Sequence, residues 1–247
     1  MAGQEHQMAY DRGITIFSPD GRIYQVEYAR EAVKRGTPSV GVRTRDGVVF
    51  VVHLPAQSPL MRTDSIEKLR KIDDHIGIAS AGHVADGRQL MDYARRDAQV
   101  NRLRYGEPID TNTLTRHLAD VIQQYTQFGG TRPFGVAFIV GGIDNGTPHL
   151  YETDPSGMSF EWNAVAVGGN AREIQEYLDS NYSEELDLDG GIRLAVSALS
   201  TAVGEPVTSE RIRIATIRTD TTQFRELSPT EVSEKLAGMD SDSGSSS

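Results

Sequence analysis

The sequence predicts an α+β fold built in layers, and three observations carry that expectation. Strand-like runs come in hairpin groups, marked by Asp46-Gly47 and by Asp144-Asn145-Gly146. Pairs of long amphipathic helical patterns separate those groups, which fits layered α+β better than an alternating parallel sheet. No Ser/Gly-rich linker interrupts the order, so the chain reads as a single domain within its 247 residues.

The elements follow in order. Ile14 to Phe17 is a short β-prone run, and a turn is expected at Ser18-Pro19-Asp20-Gly21. Ser18 and Pro19 also suit the start of a helix, as an N-cap and a first helical residue. A helix is therefore expected over about 18–35, with Ile23, Val26, Ala29 and Val33 on its apolar face and Gly36 at its end. Ser39 to Arg43 and Val48 to Val52 form a hairpin, and Lys71 to Gly82 forms another. Helical periodicity runs from Val84 to about Arg104, predicting Leu90, Tyr93, Ala94, Ala98, Val100 and Leu103 inside. A second helix spans Thr111 to Gln127, with Leu114, Leu118, Val121, Ile122 and Tyr125 inward. Strands are expected at Gly135 to Gly142, Thr147 to Thr153 and, as one piece, Phe160 to Val167. Helices over Ala171 to Tyr182 and Asp189 to Val203 precede strands at Arg211 to Arg218 and Gln223 to Leu227. Pro229 to Leu236 is a last short helix, and residues 238–247 read as a disordered acidic, serine-rich tail.

Composition narrows the function. Mean hydropathy of -0.41 and 38% apolar residues fit a soluble globular protein. The longest apolar run, Val48 to Val52, is far short of a membrane span. The start, Met1 to Gln7, has neither a basic nor an apolar signal stretch, so an intracellular, cytoplasmic location is expected. Cysteine is absent, which excludes disulfides, thiolate metal sites and a cysteine nucleophile. A net charge of -10 argues against nucleic acid as a partner. Only four of the 25 basic residues are lysines, the rest arginines. Acid-rich, Lys-poor usage suits a high-salt cytoplasm, where salt screens carboxylate repulsion; a GC-rich genome behind an ordinary acidic protein would also give it. No helical His-x-x-x-His or similar cluster exists, so His53 and His83 read as structural, with neither metal nor cofactor expected.

The segment Tyr10-Asp11-Arg12-Gly13-Ile14-Thr15-Ile16-Phe17-Ser18-Pro19-Asp20-Gly21-Arg22-Ile23-Tyr24-Gln25-Val26-Glu27-Tyr28-Ala29 resembles the N-terminal signature of proteasome α subunits, in particular the archaeal, and from composition the haloarchaeal, type. The resemblance continues through Arg30 to Gly36, Ser65-Ile66-Glu67-Lys68, Ala81 to Asp86, Gly129 to Gly135, Gly141 to Asp144 and Thr153 to Gly157. Each piece alone is weak; in this order they are specific, and they reach to about Ala237. The resemblance implies a four-layer αββα sandwich of the N-terminal nucleophile hydrolase type, with an N-terminal α-subunit helix. It divides the chain into a gate segment, 1–13, a domain, 14–237, and the tail, 238–247. It implies seven-membered outer rings capping β rings that hold the active sites. The partners implied are other α subunits, β subunits, an activating ATPase and unfolded protein substrates in transit, with no nucleic acid and no membrane.

The enzyme rival is a β-type N-terminal threonine peptidase, in which a freed threonine amine activates its own hydroxyl. Alignment of Ser39-Val40-Gly41 puts Thr37 at the nucleophile position and Lys68 near the β lysine. Three features oppose catalysis. The chain ahead of Thr37 resembles a retained part of the fold, so its nitrogen stays an amide. Pro38 restricts Thr37 to extended conformations. His53 stands at the carboxylate position. The reading is therefore of a non-catalytic subunit, with a plain ring scaffold as a third alternative.

The resemblance also assigns sites. Tyr10, Asp11, Arg12, Pro19 and Tyr28 match the gate cluster; a local turn and cap is the plainer reading. Gly36, Lys68 and Arg30 match a pocket for the ATPase C-terminal tail, which ends in a hydrophobic residue, a tyrosine and one more; a surface ion pair is the plainer reading of Lys68. Phe128, Gly129 and Gly130 match the loop that narrows the ring entrance, and they equally suit a helix C-terminus. His53-Leu54-Pro55 departs from the Asp-Lys-Arg run of many relatives. Pro55 lacks an N–H, so the second strand should end before it.

Overall fold

The computed structural model describes residues 17–55, 58, 60–128, 130–204 and 207–243. Ser18 opens a turn rather than a helix. Its carbonyl accepts the Gly21 N–H at 2.8 Å and its hydroxyl accepts the Arg22 N–H at 3.1 Å. Helix α1 therefore begins at Tyr24 and runs to Lys34, later than the expected start near residue 18. Both Ser18 and Pro19 are spent on the turn, and Gly21 at φ 73 leaves helical space.

Ten strands follow among the described residues: β1 Ser39–Thr44, β2 Gly47–His53, β3 Leu69–Asp73, β4 Ile76–Gly82, β5 Val136–Asp144, β6 Thr147–Thr153, β7 Ser159–Glu161, β8 Ala164–Val167, β9 Ile212–Arg218 and β10 Phe224–Glu226. Between them lie α2 Val84–Tyr105, α3 Thr111–Gln127, α4 Ala171–Asn181 and α5 Leu188–Val203, and α6 Pro229–Ser243 closes the chain. One antiparallel sheet has the order β10-β9-β2-β1-β8 and the other β3-β4-β5-β6-β7.

The two sheets face each other, and period-two alternation sorts the side chains. On β2, Val48, Phe50 and Val52 point between the sheets, where they meet Ile139 of β5 and Leu150 of β6. Val49 and Val51 point the other way, onto α4 and α5 with Ile174, Leu178 and Ala195. On the second sheet, Ile78, Phe138 and Val140 face α2 and α3 with Leu90, Leu114 and Ile122. The result is the expected αββα order of layers. Helix α1 buries Val26, Ala29 and Val33 and lies against β4 and β5.

Turn chemistry sets the register. Asn145 and Gly146 both have positive φ, 51 and 82, as a two-residue hairpin turn of the mirrored type requires. The carboxylate of Asp144 then accepts the Thr111 N–H and hydroxyl, capping α3 from a neighbouring hairpin. Ser228 and Glu231 form a reciprocal capping box at α6. From it the helix runs through Leu236 to Ser243, so the first part of the expected tail is helical, and residues 244–247 lie outside the described ones.

Two expectations need correcting. Phe160 to Val167 is two strands: β7 edges one sheet and β8 edges the other, with Trp162 and Asn163 crossing between them. The Trp162 N–H bonds Leu150 and the Asn163 carbonyl bonds Arg43, so the crossover stays hydrogen-bonded to both sheets. On α2, Leu90, Ala94 and Ala98 are buried as expected, but Val100 is 41% and Leu103 87% exposed, because the inward stripe at every fourth residue continues to Arg102, which bonds Asp73 of β3, and passes over both. β2 ends at His53, two residues before Pro55, as predicted.

The sheets also approach closely at Gly41, where a Cβ would sit 2.6 Å from Ile139 Cγ2 and 2.9 Å from a Leu150 methyl. Gly41→Val should cost about 1–3 kcal/mol by overpacking, read from denaturant unfolding. A variant as stable as the parent would show that the sheets do not meet there.

Candidate functional site

The chain passes from α1 into β1 through Gly36-Thr37-Pro38, and the end of β2 and the start of β3 converge on that corner. Lys68, one residue before β3, is only 6% exposed. Its ammonium nitrogen lies 2.6 Å from the Thr37 carbonyl, 2.8 Å from Thr37 Oγ1, 3.1 Å from the Pro38 carbonyl and 2.8 Å from the His53 carbonyl. Thr37 Oγ1 donates its own proton to the His53 carbonyl at 2.7 Å. Burial pushes the Lys68 ammonium down to about 7. The surrounding oxygens pull the other way, since an ammonium has three protons to donate and every neighbour named accepts.

Glycines make the corner this tight. A Cβ on Gly36 would fall 2.3 Å from the Gly82 nitrogen, and Gly82 itself holds φ 115, a backbone that side chains rarely adopt. The Gly36 carbonyl accepts the Gly169 N–H at 2.7 Å, joining the corner to the end of β8.

The chemistry of the corner is limited by its nitrogen. Thr37 and Lys68 stand as a hydroxyl and a basic side chain in hydrogen-bond reach, an arrangement that suits nucleophile activation. The Thr37 nitrogen, however, is the peptide amide to Gly36 and has no basic lone pair. The hydroxyl proton is committed to a carbonyl, which cannot act as a base. His53 is buried beside the pair and supplies its backbone rather than a carboxylate.

The other predicted residues are dispersed. Tyr10, Asp11, Arg12 and Gly129 lie outside the described residues. Pro19 sits in the exposed turn before α1, and Tyr28 is 51% exposed on α1. Phe128 caps the C-terminus of α3 with its ring 63% exposed, and Gly130 follows at φ 93. Gly36 and Lys68 share the Thr37 corner. Arg30 does not join them: its guanidinium donates Nε and Nη2 to Asp154 Oδ2, at 3.0 and 2.7 Å, and Nη1 to Glu27. The resemblance implies a lysine ammonium facing a docking ligand; the structure gives Lys68 four internal oxygens instead.

Two carboxylates with no role in the sequence reading position this end of the molecule. Asp154 Oδ1 accepts the Ser156 N–H and hydroxyl and the Met158 N–H, which builds the Asp154-Pro155-Ser156-Gly157 turn. Its other oxygen holds Arg30, so this turn anchors α1. Asp86, in the first turn of α2, takes both Arg132 Nη1 and Nη2, at 2.6 and 2.7 Å, and the Gly135 N–H at 2.9 Å. Burial would raise the Asp86 carboxyl, but Arg132 and the Gly135 amide outweigh it and hold it below the usual carboxylate range. Asp-Pro-Ser-Gly is the readable signal for the first; nothing local signals the second.

Glu152 lies two residues before Asp154 and faces between the sheets at their edge. Burial first, and the Asp154 charge second, push its carboxyl up to about 7.

Comparison with known proteins covers both the domain and the helix ahead of it. Residues 33–217 match the family described as proteasome subunit, and residues 10–32 match the N-terminal signature of A-type proteasome subunits. The chain is 61% identical to the proteasome alpha subunit of Natronomonas pharaonis, over 97% of this chain and 94% of that one. It is 60% identical to the proteasome alpha 1 subunit of Haloarcula marismortui, over 97% and 92%. Against the proteasome alpha subunit of Haloquadratum walsbyi it is 58% identical, over 97% and 96%.

The Glu152 environment yields a signed expectation. A carboxyl raised in the folded state favours folding fully below its unfolded value, near 4.5, and loses that contribution as pH rises through about 7. Glu152→Gln should therefore be more stable than the parent at pH 8, by on the order of 1–3 kcal/mol, and near the parent at pH 4.5. Equal stability of variant and parent at both pH values would show that Glu152 is not penalised.

Proposed function

The chain belongs to the proteasome subunit family as an α subunit, and we propose that it forms the outer seven-membered ring of a 20S core particle without cutting peptide bonds itself. In this reading it caps β subunits that hold the active sites, gates the entry of unfolded protein, docks an activating ATPase and works in the cytoplasm. The observation that carries the non-catalytic part is the Thr37 corner. A threonine and a lysine stand in reach of each other, yet the threonine nitrogen is an amide and its hydroxyl is tied to the His53 carbonyl. Chemistry of the N-terminal threonine kind needs that nitrogen free.

Support for gating comes from the signature over residues 10–32 and from the turn that Ser18 and Pro19 build ahead of α1. The turn and the Arg30–Asp154 pair fix the start of α1, the base that a gate would need. Phe128 and Gly130, exposed at the end of α3, suit a loop that narrows an entrance. For docking, we place the ATPase tail in the cleft beside Gly82 and His83. Gly36 packs behind that cleft, and the buried Lys68 holds its floor.

Co-expression with a β partner tests the reading. Native mass spectrometry should give fourteen copies of this chain per particle, each with its mass intact through residues 1–36. A product beginning at Thr37 would overturn the non-catalytic assignment. In the assembled particle, Pro19→Ala should change the rate of peptide entry several-fold with ring assembly intact, and an unchanged rate would count against the gate. Lys68→Ala should lose ATPase stimulation; full stimulation would remove Lys68 from the docking site.

A further inference from the structure

The chain between α3 and β5 is held from outside itself. Phe128 ends α3 with its ring 63% exposed, and Gly130 at φ 93 turns the backbone away from the helix. Over residues 128–131, one side-chain bond is internal among the described residues, from Thr131 Oγ1 to the Phe128 carbonyl at 3.0 Å. Arg132 then reaches back 46 positions to Asp86 of α2, with Nη1 at 2.6 Å and Nη2 at 2.7 Å. Beyond it Phe134 is buried, its ring centroid 4.4 Å from that of Tyr125 on α3.

The two partners of this pair sit differently. Asp86 is buried, whereas the Arg132 side chain is 60% exposed. The Gly135 N–H donates to Asp86 Oδ2 at 2.9 Å, so the carboxylate is oriented from β5 as well as from α2. His83 Nδ1, 3.2 Å from Oδ1, also faces it, and His83 is the N-cap of α2 rather than part of the loop. The Gly135 amide alone would tie α2 to β5. Arg132 adds a hold on the loop itself, and its two-pronged bond fixes direction as well as distance.

We infer that Asp86 is the positioning residue of the proposed entrance: through Arg132 it holds the loop that starts at Phe128 at a fixed reach, and so sets the width of chain that can pass. The inference rests on the entrance reading of Phe128 and Gly130 above. A loop with a glycine at its turn and little internal bonding has no fixed width of its own, because the glycine leaves it many conformations. Anchored to Asp86, it takes on the rigidity of α2 and β5. The effect falls on size selection and not on cutting.

The test uses the particle assembled with β subunits and one unfolded polypeptide in two forms. Closed into a loop by a single disulfide, the polypeptide must enter as two strands; reduced and alkylated, it enters as one. This chain has no cysteine to exchange with that disulfide. A fluorogenic tetrapeptide reports cutting without a demand on width. The parent should degrade the looped form more slowly than the linear one. Asp86→Asn keeps an oxygen for the Gly135 N–H but removes the charge beneath Arg132. Arg132→Gln removes the fork from the exposed side and should melt close to the parent. Both should raise the looped-to-linear rate ratio several-fold with the tetrapeptide rate unchanged, and Arg132→Lys should fall between them and the parent. Phe128→Ala, which trims the proposed rim itself, should raise the ratio as well. If Phe128→Ala raises it while Asp86→Asn and Arg132→Gln leave it at or below the parent value, the pair is a structural tie only and the entrance reading stands without it. If the parent degrades both forms equally, or Phe128→Ala changes nothing, the entrance reading falls and takes the inference with it. Should Asp86→Asn fail to assemble, Arg132→Gln decides alone.

Discussion

The buried ammonium of Lys68 is the interaction on which this structure turns. It collects oxygens from Thr37, Pro38 and His53, so a single side chain ties the exit of α1, the start of β1, the end of β2 and the start of β3. Removing an ammonium from water costs several kcal/mol, and only close, well-placed acceptors offset it. Four oxygens within 3.1 Å meet that need. The glycines around the corner follow from the same demand. Gly36, Gly82 and Gly168 let three backbone segments approach more closely than any side chain would allow. Arg30 on Asp154 then extends the fixed corner to the N-terminal helix.

The corner accounts for the relation between this chain and threonine hydrolases of related fold. Hydroxyl and lysine lie within 2.8 Å, and in the proposed reading that pair has no free amine to complete it. Gly36, just beyond the signature over residues 10–32, holds the Thr37 nitrogen in a peptide bond. The lysine serves the fold through its bonds to Thr37, Pro38 and His53. Those bonds are why a cation matched to a docking pocket by sequence faces inward.

Much of the fold was legible because it is locally encoded. Asn145-Gly146 announces its hairpin through positive φ values that few other residues tolerate, whereas Gly47, already in β2, is needed because a Cβ there would fall 2.2 Å from the Ile217 carbonyl. Alternation along Val48 to Val52 is invisible in a run of apolar residues, so only the facing sheet on one side and the helices on the other decide which valine faces which layer. Ser18 and Pro19 fit both a helix start and a turn, and Gly21 decided for the turn. Phe160 to Val167 looked continuous because a crossing between sheets needs no polar residue when Trp162 and Asn163 bond through their backbones. The site was less legible still. Nothing near Lys68 says that residues 37, 38 and 53 will surround it, and nothing near Asp86 points to Arg132. These contacts span 15 to 46 positions and exist only once the sheets are stacked.

A double-mutant cycle between Thr37→Val and Lys68→Met tests the central claim most directly, with unfolding free energies of the parent, both single variants and the pair. Thr37→Val removes the hydroxyl that Lys68 donates to, and Lys68→Met removes the ammonium at nearly constant volume. The account predicts a coupling of about 1–3 kcal/mol, the scale of a buried charge-assisted bond. Effects that add to within about 0.5 kcal/mol would mean that the two side chains do not act on each other, and the corner would lose its organising role.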